Sequence, residues 1–167
     1  MINISLDPIA ATLLGYTKEE VITYFTPYIE KLANLNNKSP KEIEEAIRVW
    51  YNGYRFSEKD VKVYNPFSLH YLFTKNKFNN YWFNSGTPTF LLEIFKKNHS
   101  ILESIDNATS SYNSLQSITL EDPQLVPLLF QTGYLTIASY DQEENYYTLA
   151  YPNQEVQQSY TLSLIGR

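Results

Sequence analysis

With 167 residues and a net charge of −5, the chain has room for one ordinary domain or two small subdomains, and no overall field to draw in a phosphate backbone. Hydrophobic residues make up 43% and charged residues 19%, which predicts a packed core and excludes global disorder. Cysteine is absent, excluding disulfides, thiol catalysis and Cys-ligated zinc, and fitting a reducing compartment.

The N-terminus, MINISLDPIAATLLGY, has no basic leader and places Asp7 and Pro8 inside its apolar part. No stretch reaches the roughly 20 apolar residues that span a bilayer, so the expectation is a soluble, cytoplasmic chain without membrane association. Residues 2–6 alternate like a short strand that needs a partner. Thr17-Lys18-Glu19-Glu20 then has capping-box form ahead of Val21, Ile22 and Phe25. Pro27 lacks an amide N–H, which predicts a break or kink before it and a second short helix to about Ala33. Residues 34–38 read as a polar loop. Ser39-Pro40-Lys41-Glu42 repeats the start signal, with Ile43, Ala46, Ile47 and Trp50 on one helical face and Gly53 as the terminator.

Residues 54–64 predict a loose hairpin around the turn Ser57-Glu58-Lys59-Asp60. Asn65-Pro66 opens a helix through Leu69, Leu72 and Phe73. Past a polar loop at 74–80, the aromatic run from Tyr81 reaches Gly86-Thr87-Pro88, with Thr87 as N-cap and a helix predicted over about 88–98. A weak helix follows from Ser100 to about Asp106. Residues 108–114 are small and polar, and read as a linker. Asp122-Pro123 opens a helix containing Pro127, which Gly133 ends. Residues 134–140 and 146–151 predict two strands joined by the acidic turn Asp141-Gln142-Glu143-Glu144-Asn145, and Pro152-Asn153 starts a final helix. Helix, glycine, hairpin, helix is the layout of a winged-helix module.

Residues that suggest chemistry are few. His70 and His99 are the two histidines and lie on separate predicted helices, without the clustering a metal or catalytic site needs. Asp141, Glu143 and Glu144 lack the spacing of a calcium loop and read as a solvated turn. Glu42, Glu44 and Glu45 with Arg48 read as an exposed helix face. Trp50, Tyr51, Tyr54, Tyr81 and Trp82 are candidates for base stacking, but they read more economically as a core-closing aromatic cluster. The chain contains no GxxxxGK[ST], no Gly-x-Ser-x-Gly and no strand ending in paired acids.

Six ordered motifs carry a family resemblance: LDPIAATLLGYTKEEV, WYNGYRF, VYNPFSL, YWFNSGTPTFLLEIF, LLFQTGYLTI and YPNQEV. Over roughly residues 4–160 the chain resembles the middle of bacterial AAA-ATPase-like proteins that pair a P-loop ATPase with a C-terminal PD-(D/E)XK-type nuclease domain. The resemblance implies a mainly α fold with a small β component. Residues 1–8 would be a remnant of the ATPase core sheet, 9–107 a helical lid, 108–114 a linker and 115–167 a winged-helix-like module. It further implies a truncated or excised segment without the Walker motifs and nuclease domain. On that reading the chain is no enzyme by itself, holds no cofactor unless another chain supplies a P-loop for ATP, and works through an unidentified protein partner or is inert alone. In related ATPases the lid proline touches adenine, which makes Gly86, Thr87 and Pro88 the candidate nucleotide-binding residues, although in this chain by itself Pro88 reads more simply as a plain first-turn proline. Two alternatives stay open. One is a nucleic-acid-binding winged helix reading a groove with residues 124–132, which the acidic wing does not favour. The other is an ATPase or nuclease subunit completed by a separate chain.

Overall fold

The computed structural model describes residues 6–86, 108–116 and 125–165. They form a mainly α structure with a small antiparallel sheet. The elements are α1 (Lys18–Asn36), α2 (Pro40–Tyr51), α3 (Pro66–Lys75), α4 (Tyr81–Gly86), β1 (Thr109–Ser111), α5 (Tyr112–Gln116), α6 (Leu125–Gln131), β2 (Thr136–Asp141), β3 (Tyr146–Ala150) and α7 (Gln154–Ile165).

The helix starts follow the local chemistry of the chain. Both α1 and α2 open on complete capping boxes, Thr17 with Glu20 and Ser39 with Glu42, in which cap and third-residue side chains satisfy each other's backbone amides. Asn65 caps α3, its Oδ1 accepting from the amides of Phe67 and Ser68. Asn153 caps α7 in the same way through the Val156 amide. The expected break at Pro27 does not occur, and α1 runs through it to Asn36. Pro27 and Thr23, whose carbonyl loses its amide partner, both lie on the exposed face, so the lost bond falls on the solvent side of the helix. Meanwhile Val21, Ile29, Leu32 and Ala33 keep one continuous buried stripe on either side of the proline. Packing outweighs the missing bond.

That stripe meets Ile43, Ile47 and Tyr51 of α2 and Leu69, Leu72 and Phe73 of α3 in a first apolar core, roofed by aromatic contacts such as Phe25 stacked on Phe73 at 5.1 Å. A second core gathers Tyr54 and Val63 of the hairpin with Leu115, Leu128, Leu129, Ile137, Tyr147, Leu149 and Val156. Tyr54 and Val63 exchange both backbone hydrogen bonds, as the hairpin reading expects. Of the expected N-terminal strand only Leu6 is among the described residues, as a single parallel bridge to Ser57.

The sheet has the order β1-β3-β2, all antiparallel. Residues 108–114, expected as a structureless linker, instead supply β1 and the start of α5; Ser110 lies opposite Tyr147. Small polar side chains suit an edge strand that needs only its backbone bonds. The chain order here is strand, two helices, then a hairpin. The helices predicted over about 88–98 and 100–106 lie outside the described residues. The aromatic run before them is itself helical, as α4.

Candidate functional site at the base of helix α4

Of the three candidate nucleotide-binding residues, Gly86 is the last residue of α4, while Thr87 and Pro88 lie outside the described residues. What fixes α4 is therefore what positions Gly86. The loop before it is held by Tyr51, whose hydroxyl donates to the Asn79 carbonyl and accepts from the Asn79 amide, both at 3.0 Å. The first turn of α4 is held by Glu155 of α7. Its Oε1 accepts from the Trp82 amide at 2.8 Å, and its Oε2 is bonded by the Ser68 hydroxyl of α3 at 2.7 Å. One carboxyl group thus ties three helices.

Glu155 is fully buried. Burial pushes its carboxyl up from the ordinary 4.5 to about 7, against the opposing pull of the Ser68, Trp82 and Tyr81 hydrogen bonds. Around it sit the hydroxyls of Tyr51, Tyr54 and Tyr81, each pushed above the usual tyrosine range, first by burial and then by the nearby Glu155 charge. The Tyr54 hydroxyl lies beside the Asn65 and Asn153 side chains but outside hydrogen-bonding geometry.

Backbone packs tightly around this node. Gly53, at φ +120°, stands where a Cβ would lie 1.8 Å from the Pro152 carbonyl oxygen. Gly133, at φ +80°, lets the Trp82 and Tyr54 rings close over the end of α6. Trp82 in turn meets Tyr134 at 5.1 Å. A cleft of about 420 Å³ opens beside Trp82, walled by Tyr54, Phe56, Phe67, Phe130 and Leu14. A second anchor holds the hairpin to the sheet. The Arg55 amide donates to Thr136 Oγ1 at 2.7 Å, the same hydroxyl donates to the Arg55 carbonyl at 3.1 Å, and the guanidinium reaches the Ala138 carbonyl at the β2 bulge at 3.3 Å.

The aromatic residues considered for base stacking are used in packing. Tyr51 and Tyr54 are buried, Trp50 leans on Phe78, Tyr81 stacks on Tyr71 and Trp82 closes the second core. His70 is exposed and edge-on to Tyr71, while His99 lies outside the described residues. Among the described residues no group of three or more His, Asp or Glu side chains is placed to hold a metal ion. Asp141 Oδ1 accepts from the amides of Glu143 and Glu144, making the hairpin tip a self-contained turn. No helix among the described residues is long and apolar enough to cross a membrane.

Sequence reasoning passed over Glu155. An acidic residue in the first turn behind an Asn cap reads as a solvated charge favoured by the helix dipole. Its burial depends on α3 and α4, more than 70 residues away along the chain. The available signal was the company it keeps: WYNGYRF, VYNPFSL, the YWF run, QTGYL and YPNQEV all contribute residues to this one node.

No family model matches this chain, and no solved structure matches it. The chain is 34% identical over 167 residues to the "Uncharacterized protein in vnfD 5'region" of Azotobacter chroococcum mcd 1, an alignment covering 99% of this chain. It spans about 30% of that relative's length.

Proposed function

We propose that this chain is the lid and winged-helix-like segment of an AAA-ATPase-like protein, acting through protein contacts and not by catalysis. The observation that carries the reading is topological. After a helical bundle, the order β1-α5-α6-β2-β3 with β1 and β2 flanking β3 is the plan of a winged-helix module, with the turn at 141–145 as its wing. The relative's length supports a segment of a longer protein. The lack of any phosphate-cradling GxxxxGK[ST] loop in the chain supports a non-catalytic part.

Protein contact is supported by Ile9, Leu13 and Leu14, three strongly exposed apolar residues in one short turn-rich segment, Leu14 bordering the cleft. Groove reading by α6 finds less support, because Pro127, Leu128 and Leu129 are buried and the wing is acidic. A cytoplasmic setting belongs to the same proposal, on the absence of cysteine.

The test is direct. The purified chain should release no phosphate from ATP, and duplex DNA should show no retardation with it at low salt. Phosphate release by the chain alone would overturn the reading, and retardation would favour the nucleic-acid alternative. A thermal-shift titration with ATP and ADP sharpens it, since a nucleotide at 100 times its dissociation constant would add about 2.7 kcal/mol of stability. Without the phosphate-binding half, the chain should show far less.

A further inference from the structure

Glu155 is fully buried, and its carboxyl oxygens are hydrogen-bonded from α3 by the Ser68 hydroxyl and from α4 by the backbone of Trp82 and Tyr81. Among the described residues no Lys, Arg or His pairs with it. The titratable groups facing it are tyrosine hydroxyls, Tyr51 from α2, Tyr54 from the hairpin and Tyr81 from α4, all neutral near pH 7. Among the described residues, a carboxylate here would be a charge without a counter-ion.

The neutral acid fits the same geometry without that cost. Its carbonyl oxygen accepts from the Trp82 amide, and its O–H donates to Ser68 Oγ across the same 2.7 Å that the serine spans as a donor in the ionised form. We propose that Glu155 is a proton-operated joint: protonated, it locks α4 onto α3 and α7; ionised, it loosens that junction. The carboxyl titrating at about 7 supports this.

The sign follows from linkage. The folded-state value is raised above the unfolded one, so the contribution is fully present below about pH 4.5. It declines as pH rises and is spent above about pH 7. Its consequence is that pH governs how firmly α4 is held against α3 and α7, which stands independently of the lid reading above.

The test compares urea unfolding of the full chain and Glu155→Gln between pH 5 and 8. Glutamine copies the neutral acid, its carbonyl accepting from Trp82 and its amide donating to Ser68. Relative to the variant, the wild-type folded-to-unfolded ratio should fall by up to about tenfold per pH unit between 5 and 7, then level off. Parallel profiles would overturn the proposal. Should the variant fail to fold, the Trp82 amide of the wild type, followed by proton–nitrogen NMR, should move with a midpoint near 7. A midpoint below 5, or no movement, would overturn it equally. Neither outcome touches the lid reading, which falls instead on phosphate release.

Discussion

The α1–α3 core and the α4 junction show two ways of holding helices together. The first relies on apolar area. Ile29, Leu32, Ile43, Ile47, Leu69 and Leu72 are buried almost completely, and any one contact there is replaceable by another of similar volume. The junction relies on a few polar atoms and two close backbone approaches, with Glu155 between Ser68 and Trp82 and Gly53 against Pro152. Area tolerates variation, whereas a hydrogen-bonded node tolerates almost none, because a buried group left without its partner bears its full desolvation cost. The difference teaches that the helical core can repack around a change, whereas the junction has no second arrangement that satisfies its buried polar atoms.

The sharpest way to break that contrast is Gly53→Ala. A Cβ there would overlap the Pro152 carbonyl oxygen, and φ +120° is closed to other residues. The substitution should cost more than about 3 kcal/mol, read as loss of the cooperative urea transition or a large drop in its midpoint. A mild effect would mean that the α2 and α7 ends yield easily and that the junction is soft. Leu69→Ala sets the scale for the other region. It should cost about 2–5 kcal/mol, with the spread set by how far α1 and α2 collapse into the space.

Much of the helical region was legible in the chain because its signals are local. Thr17 with Glu20, Ser39-Pro40 with Glu42 and Asn65-Pro66 each mark a helix start within four residues. The hairpins were legible for the same reason, as were the glycines ending α2 and α6. Pro27 misled because a local rule met a stronger tertiary stripe. Residues 108–114 misled because an edge strand held by backbone bonds carries little side-chain signature. The node was invisible for a third reason. Ser68, Trp82 and Glu155 lie in three segments, and nothing in any one of them announces the other two.

Thr136→Val probes the second anchor. It removes the hydroxyl that both accepts from and donates to the Arg55 backbone, leaving a buried amide unpaired at nearly constant volume. The expected cost is about 2 kcal/mol, measured by urea unfolding, with β2 amides exchanging faster in hydrogen-exchange NMR. An unchanged stability would place the hairpin-to-sheet contact among the replaceable, area-based ones.

The smallest expected effect tests the local rule itself. In Thr17→Ala the Glu20 amide loses its acceptor at 3.2 Å, while Glu20 keeps its 2.8 Å bond back to the Thr17 amide, since that donor is backbone. Half the capping box survives, and water reaches the part-buried site. The loss should therefore be about 1 kcal/mol, and Thr17→Ser should restore nearly all of it. If Thr17→Ala instead cost as much as Leu69→Ala, the start of α1 would be coupled to the core beneath it through Tyr16, whose backbone is bonded to Tyr64 in both directions. The division between replaceable area and irreplaceable polar contacts would then have to be redrawn to include this cap.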